Sequence, residues 1–223
     1  MQPISTPSPF GAPTAGIDYF FALRPDDPAR SAIAETAARF RKAQRFSGVS
    51  VPVASLHLSL CPMGRTELLR RPLEQALLAA GAAVRAPGFV VTLDTAMRRM
   101  GRDGQFPFVL CGDRATAQAA TDLRTAIAGA QRRVGLHVRA VSSFHPHVAL
   151  QFGPAIDAVD GSIAPIQWPV REFVLLRSYF GQYRHEVIGC WPLALAPRPV
   201  AKPIDMLAEL ADLPELPAFP DDE

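Results

Sequence analysis

The sequence holds little that could staple a small fold or anchor it in a membrane. Its 223 residues include three cysteines, Cys61, Cys111 and Cys190, widely spaced and with no CxxC pair among them. That spacing argues against a zinc ribbon or a dithiol redox centre, and an odd count leaves no complete disulfide set. All three sit in apolar runs, which predicts buried thiols. No apolar run approaches the roughly 20 residues that a membrane span needs. The opening MQPISTPSPFGAPTAG has no basic residue and no apolar segment, so it reads as a flexible lead-in and not as a secretion signal. These absences predict a reducing, cytoplasmic setting and no membrane partner. Lysine is scarce too, with Lys42 and Lys202 the only two among 23 basic residues. No nucleophile-elbow motif is present, which excludes that class of serine hydrolase.

What is present is a globular composition with an uneven charge. A hydrophobic fraction of 48% and this length fit one domain or two small lobes with a sizeable core. Residues 203–223 carry seven acidic side chains and no basic one. Of the 21 acidic residues, 14 then remain against 23 basic ones, giving +9 for residues 1–202. A basic body suits a phosphate-bearing ligand. An arginine- and alanine-rich coding bias produces the same balance, so charge alone does not decide the ligand. In the tail, Ile204, Leu207, Leu210 and Leu213 recur at helical spacing. Two readings stand for it: a segment that docks on the basic body, or an acidic, Pro-rich tail that touches nothing.

Along the chain, hydrophobic periodicity predicts alternating strands and helices. GIDYFFALRP reads as a strand, and DDPARSAIAETAARFRKAQ as a helix capped by Asp26 or Asp27, with Ile33, Ala34, Ala37, Ala38 and Phe40 as its buried stripe. LHLSLCPMG is a strand, and TELLRRPLEQALLAAGAAV a helix bent or restarted at Pro72. GFVVTLDTAMRRMG and FPFVLCG form two strands joined by a turn. A long Ala-rich helix, ATAQAATDLRTAIAGAQRRVG, leads to the strand HPHVALQFG. PAIDAVDGSIAPIQW reads as a looser segment, and REFVLLRSYF with YRHEVIGCWPLAL as a closing hairpin.

An internal repeat runs through these elements. Tyr19 to His57 and Phe108 to His147 are similar spans, each holding strand, helix and a strand that opens on a histidine. Side chains alternate along a strand, so His57 and Ser59 share a face, with Leu58 and Leu60 on the other. His145, His147, Ala149 and, in a regular strand, Gln151 share a face in the second copy. A pseudo-twofold axis between the lobes would turn both imidazoles into one groove.

HLSL and PHVAL in this duplicated setting resemble the paired His-x-Thr/Ser-x motifs of the 2H phosphoesterase superfamily. The nearest branch is that of 2'-5' RNA ligase-like proteins and RNA 2',3'-cyclic phosphodiesterases. YFFALRP, REFVLLRS and WPLAL also look familial, and the resemblance spans residues 17–195. It implies an α+β fold that is bilobal and duplicated, with two mainly antiparallel sheets flanked by helices around a central groove. Residues 1–16 and 196–223 then form a flexible lead-in and an acidic, Pro-rich tail.

The resemblance implies a monomeric enzyme without metal or other cofactor, acting on RNA or nucleotides that bear a 2',3'-cyclic phosphate or a 2'-5' linkage. Hydrolysis of such a diester needs a base for water and an acid for the departing ribose oxygen, and two histidines near neutrality supply both. His57 and His147 are the expected pair, with Ser59 as phosphate ligand. Ala149 departs from the motif, since it has no hydroxyl to offer. That loss leaves either a weakened enzyme or a non-catalytic RNA- or nucleotide-binding descendant. Gln151 and His145 are the candidates to reach the substrate in its place, although His145 beside Pro146 also reads as a rim residue. Arg65 and Arg177 are candidate phosphate ligands, with a solvated surface arginine as the plainer reading for each. A His145/His147 metal site lacks a third ligand at diagnostic spacing. His137 and His185 lie outside both motifs and are expected to take no part.

Overall fold

The helix starts follow from single residues. Helix α1 (Asp27–Gln44) begins where the Asp26 carboxylate accepts the Ala29 N–H at 2.9 Å, with Pro28 in the first turn. Helix α2 (Arg71–Ala83) carries Pro72 in its first turn, so that proline starts the helix and does not bend it. Helix α3 (Arg114–Arg133) is capped by Asp113, which accepts the Thr116 N–H at 2.7 Å. The computed structural model describes residues 16–44, 48–66, 70–99, 106–138, 144–153, 160–179, 182 and 184–194. Most of the lead-in and the whole acidic tail lie outside the described residues, as do the expectations placed on them.

Nine strands are described: β1 (Ile17–Leu23), β2 (Val49–Ser50), β3 (Leu58–Thr66), β4 (Phe89–Arg98), β5 (Phe106–Gly112), β6 (His147–Gly153), β7 (Asp160–Val170), β8 (Glu172–Tyr179) and β9 (Arg184–Pro192). The fold is α+β, but the strands form one sheet where two are expected. Its order is β7-β4-β5-β6-β3-β1-β8-β9, with β2 on β6, and every named pairing is antiparallel. The join between the halves is narrow, because β3 and β6 pair only at Leu58↔Val148. From that join the order runs β3-β1-β8-β9 one way and β6-β5-β4-β7 the other. The two histidine-bearing strands are therefore the central neighbours.

One core unites the sheet with the helices. Phe21 and Leu23 of β1, Leu58 of β3, Leu110 of β5 and Val148 of β6 pack with Ile33, Leu77 and Ile127 of the three helices. Tyr19 is wholly buried in this core. The α1 stripe runs through Ala29, Ile33, Thr36, Ala37 and Phe40; Ala38 is exposed and Thr36 takes its place.

Residues 160–168 form most of strand β7, not a loose segment. Gly161, Pro165 and Pro169 hide it in the sequence, but β7 is an edge strand, where a proline nitrogen can face away from its neighbour. Its inner face still alternates, with Ile166, Trp168 and Val170 buried. Cys61 is buried and Cys111 half-buried, whereas Cys190 is exposed, on the opposite edge strand. No helix among the described residues is long and apolar enough to cross a membrane.

Gly81 shows how closely α2 approaches β9. A Cβ on this residue would lie 2.5 Å from two atoms of the Trp191 ring. Gly81→Ala is therefore expected to destabilise the protein by about 1–3 kcal/mol, despite its better helix propensity, in urea or thermal unfolding. Equal or greater stability would mean that Trp191 repacks without cost.

Candidate active site

The Leu58↔Val148 pair sets the two motifs side by side. Continuing its antiparallel register by one residue each way places His57 across from Ala149 and Ser59 across from His147. Leu58 and Val148 point into the core and are wholly buried, so these four flanking residues occupy the opposite face. The helices pack on the core side, and the imidazoles stand on the other.

Both imidazoles are oriented by the same device. His57 Nδ1 lies 2.7 Å from the Ser55 carbonyl, and His147 Nδ1 lies 2.7 Å from the His145 carbonyl. A carbonyl only accepts, so Nδ1 carries the proton in each ring. In the neutral ring Nε2 is then the basic atom. Local structure sets these carbonyls. A 3-10 turn, Val53–Ser55, ends just before His57, and Leu56 N–H closes it on the Val53 carbonyl at 3.3 Å. Before His147, the buried Pro146 is held by its carbonyl accepting the Gly112 N–H at 3.0 Å.

Ser59 completes the first motif only. Its hydroxyl lies 3.1 Å from His57 Nε2 and donates to it while the ring is neutral. At the matching place after His147 stands Ala149, which offers no such group.

Burial is the main force on both rings. It drives the His57 pKa down to about 4, helped by charge on His185, His147 and Arg24 and opposed by the Ser55 hydrogen bond. The His147 pKa is lowered as well, first by burial and then by Arg99 and His145, against the hydrogen bond to the His145 carbonyl.

The structure adds a third imidazole that the sequence sets apart. His185 of β9 meets His57 edge-on, with ring centroids 5.1 Å apart, and both rings pack on Phe20, at 5.7 and 4.9 Å. Burial lowers its pKa too. His185, expected to take no part, thus stands against the first motif, on β9. His137, by contrast, is exposed beyond α3.

Two further expectations are corrected. Gln151 does not share the His147 face. A bulge interrupts β6, with Val109 paired to Ala149 and the next residue, Phe108, to Gln151. Gln151 thereby turns to the side of Phe108, where it is 2% exposed. Arg177 also lies on the core side, paired with Tyr19 of β1. Its guanidinium is held by Glu74 of α2 and Glu186 of β9, so a phosphate at the histidines is on the other face of the sheet. His145 stays at the rim, exposed, with its carbonyl holding His147. The Arg65 backbone pairs with Asp18 of β1, and its side chain lies outside the described residues. Among the described residues no three His, Cys, Asp or Glu side chains converge as metal ligands would.

Several solved structures share this fold. E. coli LigT complexed with 3'-AMP is 29% identical, with a TM-score of 0.59 over 80% of this chain and 98% of its own. The same protein complexed with ATP gives 25% identity and a TM-score of 0.60 over 80% and 99%. TT0787 of Thermus thermophilus, at 20% identity, shares the fold, with a TM-score of 0.59 over 81% and 100%. No protein-family model and no curated protein sequence matches the chain. With this fold, these neighbours and two histidine motifs on adjoining strands, the chain is similar to the LigT-like 2H phosphoesterases.

The lowered His57 pKa has a consequence for stability. An unfolded histidine takes up its proton near pH 6.5, whereas folded His57 resists it to about 4. Stability is thus present above pH 6.5 and lost as pH falls through that window, by roughly 3 kcal/mol for this group at the lower end. Thermal unfolding at pH 7 and pH 4.5 should show a smaller acid loss for His57→Gln than for the wild type. Equal losses in the two proteins would count against a buried, neutral His57.

Proposed function

We propose that the protein is a phosphoesterase that opens 2',3'-cyclic phosphodiesters of nucleotides or RNA ends, with His57 and His147 exchanging protons across the phosphorus. The observation that carries this reading is the matched anchoring of two imidazoles, both with Nδ1 on a backbone carbonyl 2.7 Å away, on one face of adjacent strands. The LigT complexes with 3'-AMP and ATP support a nucleotide as the ligand class.

In this reaction a water oxygen bonds to phosphorus while one bond from phosphorus to a ribose oxygen breaks. One imidazole takes the water proton and the other gives a proton to the leaving oxygen. The two imidazoles are together sufficient for both transfers. His57, neutral down to about pH 4, is the base. His147 Nε2 supplies the proton, and Ser59 holds a nonbridging oxygen as negative charge builds there. When His57 is protonated after the transfer, Ser59 is released from donating to Nε2 and its hydrogen is free for that oxygen. In the ligating direction the two histidines exchange roles.

The assignment sets a pH profile. The base must be neutral and the acid charged, so kcat/KM is expected to rise as pH climbs past about 4 and fall again below the ordinary histidine value of 6.5. An optimum on the alkaline side of neutrality would contradict the lowered values of both rings. In assays of 2',3'-cyclic nucleotides with product analysis, His57→Ala and His147→Ala should each lower activity ~100-fold or more, and His137→Ala should not. Full activity in either motif variant would overturn the proposal.

Ala149 favours a second reading, that of a nucleotide-binding descendant without turnover. A hydrogen bond to a charged group contributes about 1.5–3 kcal/mol, so its absence slows a reaction roughly ten- to a hundredfold without abolishing it. Ala149→Thr is expected to recover up to that factor. Nucleotide binding without turnover in both the wild type and Ala149→Thr would establish the binding-only protein.

A further inference from the structure

Two arginines flank the paired histidines without partners of their own among the described residues. In the β1–β3 ladder Ala22 faces Ser59 and Leu23 faces Leu58, so the next step sets Arg24 directly across from His57. Arg24 is exposed and shares the strand face of Phe20, whose ring packs on the His57 imidazole. On the other half, Arg99 N–H donates to the Pro107 carbonyl at 2.9 Å, extending the β4–β5 ladder one step beyond Arg98↔Phe108. Arg99 thereby takes the face of Met97 and Val109, and Val109 is the neighbour of Ala149.

Among the described residues neither guanidinium meets a carboxylate or makes a side-chain hydrogen bond. Arg30, Arg177 and Arg184 are each paired with a carboxylate, whereas outlying arginines such as Arg133 also stand without one among the described residues. What sets Arg24 and Arg99 apart is their place beside the imidazoles. Arg24 opposes a positive charge on His57, and Arg99 opposes one on His147. Cations placed against imidazoles, with no counter-ion, repel the charged form that catalysis must pass through. An anion between them turns that repulsion into attraction.

We propose that Arg24 and Arg99 clamp the substrate phosphate from opposite sides, Arg99 giving a nonbridging oxygen the hydrogen bond that Ala149 cannot. This rests on the phosphoesterase reading above and assigns to it two residues outside both motifs. A guanidinium reaches farther than a threonine hydroxyl and carries full charge, so it can serve the second-motif side from the neighbouring strand pair. The clamp also gives the chain's arginine excess a local use at this face.

The test measures inorganic phosphate and 3'-AMP affinity by calorimetry, and 2',3'-cyclic AMP turnover, for wild type, Arg24→Gln, Arg99→Gln and an exposed control, Arg133→Gln. Each clamp variant is expected to weaken phosphate binding by about tenfold and to lower kcat/KM by about ten- to a hundredfold, with the control unchanged. Adding Ala149→Thr should restore part of the loss in Arg99→Gln and little of it in Arg24→Gln. Unchanged phosphate affinity in both arginine variants would overturn the clamp, even if turnover still depends on His57 and His147. Arginine-dependent phosphate binding without any turnover would keep the clamp and defeat the phosphoesterase reading.

Discussion

Everything at this site depends on a single cross-strand pair. Leu58 and Val148 join a four-stranded half and a five-stranded half into one sheet, and both side chains are wholly buried beneath the join. Their neighbours have no choice of direction, because the pleat turns His57, Ser59, His147 and Ala149 outward together. A slip of one residue at this pair would put the imidazoles in the core and the leucine and valine in solvent. The buried pair is thus what holds the register of the chemistry, and hydrophobic burial supplies it without any bond to the histidines themselves.

The core side braces the same strands. Tyr19 donates to Glu74 at 3.1 Å, and Glu74 of α2 in turn meets Arg177 of β8, which also holds Glu186 of β9. Tyr179 adds a hydrogen bond of 3.0 Å to Glu186. This network ties β1, β8, β9 and α2 behind the sheet. Its front counterparts on β1 and β9 are Phe20 and His185, the two rings that pack on His57. An arginine that the sequence offers as a phosphate ligand thereby acts on the site from behind, through strand placement.

Much of this is legible in the order of residues alone. The repeat of strand, helix and histidine-led strand identifies His57 and His147, and the period of two gives Ser59 its face. The helix start at Asp26 follows from local chemistry, whereas the second helix, read from Thr66, begins only at Arg71 because Thr66 belongs to β3. What escapes the sequence is what depends on breaks in periodicity or on distant neighbours. The β6 bulge between the Val109 and Phe108 pairings moves Gln151 across the sheet, and no residue type announces it. His185 meets His57 although β1 and β8 lie between β9 and β3, a contact that a linear pattern does not contain. Arg24 is hidden by its own context, a single arginine in a chain rich in them, and only the β1–β3 register sets it apart.

The two edges of the sheet are unlike in what they offer another chain. On β7, Pro165 and Pro169 each lack an N–H, and a bulge between the Ser162 and Ile166 pairings interrupts the strand at Pro165. Prolines and a bulge both hinder the continuous run of backbone hydrogen bonds that a further strand on that edge would need. On β9 the proline, Pro192, comes only at the end, and Val187 is 46% exposed within the strand. Strand-by-strand growth of an aggregate, where each added copy needs two open edges, is consequently blocked at one of them. The prolines that disguise β7 in the sequence leave the sheet able to take a neighbour on one side only, which stops such growth at a pair.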